Sequence, residues 1–228
     1  MIVNTIKPIR WLVTLVLFMN VADANETLDI VVYDIPAILQ LDKQGQYDQI
    51  ISAVQRQQNE QWNYTVAPPG RVDKLFDLNK ADCIFPFDKR FHKNSNTVNS
   101  LPVHVAQAYI YSLPHLPPIK SLTELKGKRI GARTGMLYGP EFDKLNLDIK
   151  YVTQIEQNID KLLSGRIDAF VAWAPDSIAA FKRKNITPTS DTRPFITHND
   201  AFLCHDTPKS RAFINSFNKA LRKITAKN

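Results

Sequence analysis

Beyond its N-terminal segment the chain has no apolar run near the roughly 18 residues that a bilayer-spanning helix needs, so a bundle of membrane-spanning helices is not indicated. Glycine is scarce, at 7 in 228 residues, and four of the seven, Gly127, Gly131, Gly135 and Gly139, recur at intervals of four. That spacing matches neither the G-x-G-x-x-G dinucleotide fingerprint nor the P-loop, so nucleotide binding is not indicated. Cysteine is limited to Cys83 and Cys204. The histidines show no H-x-x-x-H or C-x-x-C spacing, and His198, Cys204 and His205 form no recognised ligand set; no metal or other cofactor is expected. G-x-S-x-G and H-E-x-x-H are both missing. The basic residues are scattered, with small clusters at "FKRK" and "ALRK". They lack the interleaved aromatic stripe of single-strand binders, so nucleic acid is not an expected partner.

What is present begins with an export signal. "MIVNTIKPIR" carries Lys7 and Arg10, "WLVTLVLFMNV" is uncharged and apolar, and "ADA" closes the segment in the A-x-A form. Cleavage after Ala24 is expected, leaving a periplasmic chain that starts at Asn25; an uncleaved anchor is the alternative. Losing Lys7, Arg10 and Asp23 lowers the formal charge from +7 to +6, a mild field favouring anionic small molecules or an anionic membrane surface. In an exported protein Cys83 and Cys204 are free to form a disulfide. Each also lies in an apolar strand-like segment, where an unpaired cysteine is an ordinary core residue. Both readings stand at this stage.

The hydrophobic pattern alternates strand and helix. "LDIVVYDIP" reads as a strand, Tyr47, Ile50, Ile51 and Val54 share one helix face, and "WNYTVAPP" is a second strand. A helix from about Arg71 turns Val72, Leu75 and Phe76 inward before the strand "DCIFPF". The unit then recurs: a strand over Lys128–Ala132, a helix near Pro140, the strand "IKYVTQ", a stripe of Ile155, Ile159, Leu162 and Leu163, and the strand "RIDAFVAWA". Gly165 suits a left-handed cap on the stripe. The junctions "LNKADCIF" and "LSGRIDAFV" read alike, each placing an Asp at the head of a buried strand, and Asp168 is expected to hold the Gly165 turn. A last helix presents Phe213, Phe217, Leu221 and Ile224 on one face. The expected fold is α/β with two lobes, each an open sheet flanked by helices.

Open α/β sheets bind ligands outside the carboxyl ends of their strands, which selects "YDIP", "PFDKR", "RTGMLYG" and "WAPD". In the turn of "ARTGMLYG", backbone N–H groups of Thr134, Gly135 and Met136 are expected to face the cleft and suit a carboxylate. Tyr33, Phe87, Tyr138 and Trp173 offer surfaces that stack on a ring or enclose an organic cation, whereas Phe85 reads as core. Asp34 and Asp88 are isolated candidates for general acid work.

Taken in order, "SLTELKGKRIGARTGMLYGPEF", "LLSGRIDAFVAW" and "FLCHDTPKSRAFINSFNKALRKI" resemble the extracellular solute-binding proteins of family 3, the periplasmic amino-acid-binding type of ABC importers. The resemblance implies a type II periplasmic-binding fold. Lobe one would comprise residues 25–107 plus 196–228 and lobe two residues 108–195, joined by hinge strands at "VAQAYIYSL" and at about Phe195 to Cys204. It also implies a monomer that hands a solute to an ABC permease or a membrane sensor. The family's T-P-x-R motif aligns its carboxylate-gripping Arg with Arg90, although Phe87 and Asp88 stand where Thr and Pro belong. Its D-A-x-x-x-D pattern, which supplies an Asp for an α-ammonium group, meets Trp173 instead.

These features make the chain a periplasmic binder, not an enzyme, for a small polar or anionic organic solute held by Tyr33, Asp34, Phe87, Arg90, Thr134, Gly135, Met136, Tyr138 and Trp173. A carboxylate-bearing ligand without an α-ammonium group fits the pairing of Arg90 with Trp173. The alternatives are a periplasmic enzyme on the same scaffold, resembling cyclohexadienyl dehydratases, and a non-transport interaction module.

Overall fold

A computed structural model describes residues 28–59, 62–93, 96–174, 176–191 and 193–226. The signal segment and its cleavage point lie outside these residues. In chain order the elements are β1 (Ile30–Tyr33), α1 (Gln46–Gln58), β2 (Thr65–Ala67), α2 (Pro69–Asp77), β3 (Cys83–Phe87), β4 (Thr97–Asn99), β5 (His104–Ser112) and β6 (Ile130–Arg133). There follow α3 (Pro140–Asp143), β7 (Ile149–Val152), α4 (Ile155–Leu163), β8 (Ala169–Ala174), α5 (Asp176–Arg183), β9 (Thr189–Ser190), β10 (Ile196–His205) and α6 (Pro208–Thr225).

The strands run β2-β1-β3-β10-β5-β8-β6-β7, with β4 beside β10 and β9 beside β5. β1 is parallel to β2 and β3, and β6 is parallel to β7 and β8. Each parallel unit is the βαβαβ pattern that the sequence alternation predicts. The antiparallel strands β10 and β5 join the two. Ala201–Cys204 of β10 pair with β3, while Ile196–Asp200 pair with β5, so one strand serves both lobes.

The likeness of the two strand-head junctions extends to their hydrogen bonds. Asp82 and Asp168 each accept the backbone N–H of the residue at the start of the neighbouring strand segment, Asp29 at 2.8 Å and Arg129 at 2.7 Å. The N–H groups of Asp82 and Asp168 return to the carbonyls of those same residues. The helix preceding each junction ends in a left-handed residue, Asn79 (φ 53°) or Gly165 (φ 67°). Asp168 therefore braces β8 against the start of β6, and its carboxylate also pairs with the Arg129 guanidinium at 2.6 Å. From sequence it is expected to hold the Gly165 turn; among the described residues its carboxylate bonds Arg129 instead.

One apolar cluster gathers β1, β3, α1, α2 and α6 around Tyr47, Phe76, Phe85, Phe202 and Phe217. Two others fill the second lobe, around Ile130, Ala169 and Trp173 and around Ile159, Phe170 and Phe181. Phe85 is fully buried, as the alternation of "DCIFPF" predicts. Trp62, Phe213 and Phe217 pack edge-on about Phe202, docking α6 on the first lobe. Leu163 departs from its expected place: it is 49% exposed, because the buried stripe of α4 runs through Ile155, Asn158, Ile159 and Leu162. Cys83 and Cys204 lie directly opposite each other on β3 and β10 and are joined by a disulfide with S–S 2.04 Å.

Candidate functional site

A cavity of about 70 Å³ lies between the lobes. Its first-lobe wall comes from the carboxyl ends of β1 and β3 (Tyr33, Ile35, Pro86, Phe87) and from Ile38 and Tyr47. Gly135, Met136 and Leu137, after β6, form the opposite wall with Trp173, Ala174 and Asp176; His198 and Asp200 of β10 lie between. At about 10–15 Å³ per water, this volume, which is partly open to solvent, admits roughly five non-hydrogen atoms. The lining is mostly aromatic and aliphatic.

Its polar groups are tied into two networks. In the first, Asp200 accepts from the Tyr47 hydroxyl and from His198 Nδ1, the latter at 2.6 Å. His198 Nε2 accepts the backbone N–H of Asp88 at 3.0 Å, which assigns the ring proton to Nδ1 and leaves the imidazole uncharged. Burial, and then the neighbouring Asp200, push the Tyr47 phenol up. Phe91 stacks on the His198 ring at 5.3 Å and Trp173 meets it edge-on at 5.4 Å, so this histidine of the joining strand touches aromatic rings on both sides of the cavity.

In the second network Arg133, at the end of β6, is 4% exposed. It donates to Asp176 Oδ2 at 3.1 Å, to the Thr153 carbonyl at 3.2 Å and, across the cleft, to the Asp34 carbonyl at 2.8 Å. Asp176 opens α5. Burial pushes its carboxyl up to about 6, against the pull of Arg133. Asp176 Oδ1 has no hydrogen bond among the described residues.

Of the residues expected at the site, Tyr33, Phe87, Gly135, Met136 and Trp173 line the cavity. Tyr138 is buried behind Trp173, stacked on it at 6.2 Å, and contributes no cavity wall. Asp34 takes part through its backbone carbonyl. The turn after β6 presents no nest of free N–H groups: Thr134 N–H donates to Val152 at 2.8 Å and Met136 N–H to Arg133 at 3.3 Å.

Arg90 is the larger correction. Its side chain is 57% exposed and lies outside the cavity. Its guanidinium reaches Asp88 at 2.6 Å and the Thr197 carbonyl at 2.8 Å. The two residues are held together by the short helical turn at Lys89–Phe91, where Asp88 also caps the Arg90 N–H at 3.0 Å. Burial would raise the Asp88 carboxyl, but hydrogen bonds from Arg90 and Asn199 hold it below its ordinary range, which is unsuited to a general acid.

Asp176, Arg133, Tyr47, His198 and Asp200 were not singled out from sequence. For the first two a signal existed, since both fall inside the strand-end segments "WAPD" and "ARTGMLYG". The others enter the cleft through the pairing of β10 and the packing of α1, for which the linear pattern has no marker.

Gly135 seats the two lobes against each other. It has φ +75°, and a Cβ there would lie 2.8 Å from Pro69 Cβ and 3.1 Å from Gly70 N, at the start of α2. Gly135→Ala is expected to cost about 1–2 kcal/mol of stability from the left-handed backbone alone, read as a lower Tm. The contact with Pro69 should also push the lobes apart, read by small-angle scattering as a larger radius of gyration than wild type.

No protein-family model matches the chain, and no curated protein matches it in sequence. Solved structures do match. The GluR0 ligand-binding core from Nostoc punctiforme in complex with L-glutamate superposes with a TM-score of 0.71 at 16% identity, covering 88% of this chain and 93% of that one. An ancestral arginine-binding protein bound to glutamine gives 0.68 at 18% identity, covering 88% and 92%. A histidine kinase sensor domain similar to periplasmic binding proteins gives 0.69 at 11% identity, covering 88% and 91%. The fold is that of the two-lobed periplasmic binding proteins. At these identities the likeness concerns the fold alone, and the cavity's own residues must carry any argument about a ligand.

Proposed function

We propose that this chain is a periplasmic solute-binding protein that encloses a small polar organic molecule between its lobes and presents it to an ABC-type importer or a membrane sensor. The observation that carries this reading is the position of the cavity. It lies where carboxyl ends of strands from both lobes converge on the joining strands, so a molecule there gains contacts from both sides only when the lobes are closed. We assign residues 25–107 with 196–228 to the first lobe and residues 108–195 to the second, in line with the separation of the apolar clusters. β5 and β10 act as the hinge. Among the described residues no helix is long and apolar enough to cross a membrane, which fits an exported chain acting beside a membrane partner. The matched structures are binding and sensor domains, in keeping with capture rather than turnover.

The test is recovery of the solute. Protein purified from the periplasmic fraction is mildly denatured and the released small molecules are read by mass spectrometry. Adding the recovered molecule back to refolded protein should reduce the radius of gyration and change Trp173 fluorescence. A chemically altered molecule would indicate an enzyme, and an unchanged radius would indicate a static module. Trp173→Leu should weaken binding at least tenfold, because it removes an aromatic wall; since Trp173 also belongs to a second-lobe core, circular dichroism checks that the variant is folded.

A further inference from the structure

Beside the phenols of Tyr33 and Tyr47, the ionisable side chains lining the cavity are Asp176, Asp200 and His198. The two carboxylates face it together. His198 accepts the Asp88 N–H through Nε2 and is uncharged, and both Asp200 oxygens are engaged by Tyr47 and His198. The buried cation behind the wall, Arg133, directs its guanidinium to Asp176, Thr153 and Asp34 and is not part of the lining. Counting Asp176 and Asp200 of the lining with Arg133 and Asp73, which bond Asp176 and Tyr33 from behind it, the cavity and its immediate support have a formal charge of −2.

The unused capacity therefore lies in an acceptor, Asp176 Oδ1, and in the rings of Tyr33, Tyr47, Phe87 and Trp173. A carboxylate entering this space would meet two like charges and no free guanidinium. A cation would meet an open carboxylate oxygen and aromatic faces, the combination that recognises ammonium groups. The small volume favours a compact head group.

Resting on the reading of the cleft as a solute site, we propose that its ligand is a small organic cation, an amine without a carboxylate, with its ammonium group at Asp176 Oδ1 and its apolar part against Trp173 and Phe87. This inverts the charge expected when Arg90 is placed in the cleft.

Two matched sets of molecules test it. 2-Aminobutyrate, propylamine (the same molecule without its carboxylate) and butyrate (without its ammonium) make a small set. Phenylalanine, phenethylamine and 3-phenylpropionate make an aromatic one. Each is titrated into the full exported chain at pH 7.5, with Tm and Trp fluorescence as readouts. At least one amine should raise Tm and perturb fluorescence at concentrations tenfold below those its acid and amino-acid counterparts require. Asp176→Asn, checked by circular dichroism, should weaken that amine at least tenfold, and Trp173→Leu should weaken it too.

Preferred binding of an acid or an amino acid, weakened by Trp173→Leu, overturns the proposed charge class and leaves the cleft as the site. Amine binding indifferent to both substitutions overturns the location. A response to none of the six overturns the proposal without the help of any variant.

Discussion

Replacing Cys83 and Cys204 together by alanine is expected to lower the unfolding free energy by about 4–5 kcal/mol, the largest single loss that this structure leads us to anticipate. The disulfide closes a segment with a sequence separation of 121. Confining so long a loop in the unfolded chain removes entropy equivalent to nearly 5 kcal/mol in the chain-entropy description. Its placement adds to the effect: β3 and β10 are bonded at that point, and the enclosed chain includes all of the second lobe. For a chain of this size the loss corresponds to roughly 10–15 °C in Tm. Reduced wild-type protein should show the same deficit. Both cysteines are fully buried, so reductant without denaturant should act slowly, at a rate set by opening of the first lobe. A deficit below about 1 kcal/mol in the double variant would show that the bridge closes a loop the unfolded chain already restricts.

The strands and helices were legible because each lobe repeats one unit with a clear change of period, from the runs of β1 and β8 to the stripes of α1 and α4. Even the equivalence of Asp82 and Asp168 showed in the residues around them. The joining strands were placed by resemblance, at β5 and β10. The cleft chemistry was less accessible. A strand-end segment can be located by its neighbours, but which side chain turns inward depends on register and on the short turn that follows. Arg90 illustrates this: the cap that Asp88 places on the Lys89–Phe91 turn aims the guanidinium back at Asp88 and away from the cavity. Asp176 illustrates the converse. The family resemblance directed attention to Trp173, while the acidic group facing the cleft stands three residues further on, at the start of α5.

The Arg133–Asp176 pair should govern both stability and closure, and its two members should respond to substitution unequally. Their side chains are 5% and 6% exposed, so neither charge is well solvated. Arg133→Met leaves Asp176 buried without its cation, at a cost of about 3–5 kcal/mol at pH 7. It also removes the bond to the Asp34 carbonyl, so the variant should show a larger radius of gyration. Arg133→Met combined with Asp176→Leu should recover most of the stability, because the uncompensated charge is then gone. It should not restore the closed radius, since the cross-cleft donor is still missing.

Asp176 also has a pH signature. Its carboxyl is pushed from 3.8 up to about 6 by burial, so between these values the folded chain binds more protons than the unfolded one. The contribution is fully present below 3.8 and is lost as pH rises through about 6. That interval, at about 1.4 kcal/mol per pH unit, amounts to roughly 3 kcal/mol. Asp73, also raised by burial, acts in the same direction, whereas His92, lowered by burial, opposes it as pH falls below 6.5. Subtracting the profile of Asp176→Asn from that of wild type, by urea unfolding at pH 4, 5, 6 and 7, isolates the Asp176 share. Wild type should gain stability relative to the variant as pH falls from 7 to 4. A relative loss would mean that Arg133 outweighs burial and holds Asp176 ionised throughout, as a fixed anionic wall of the cleft.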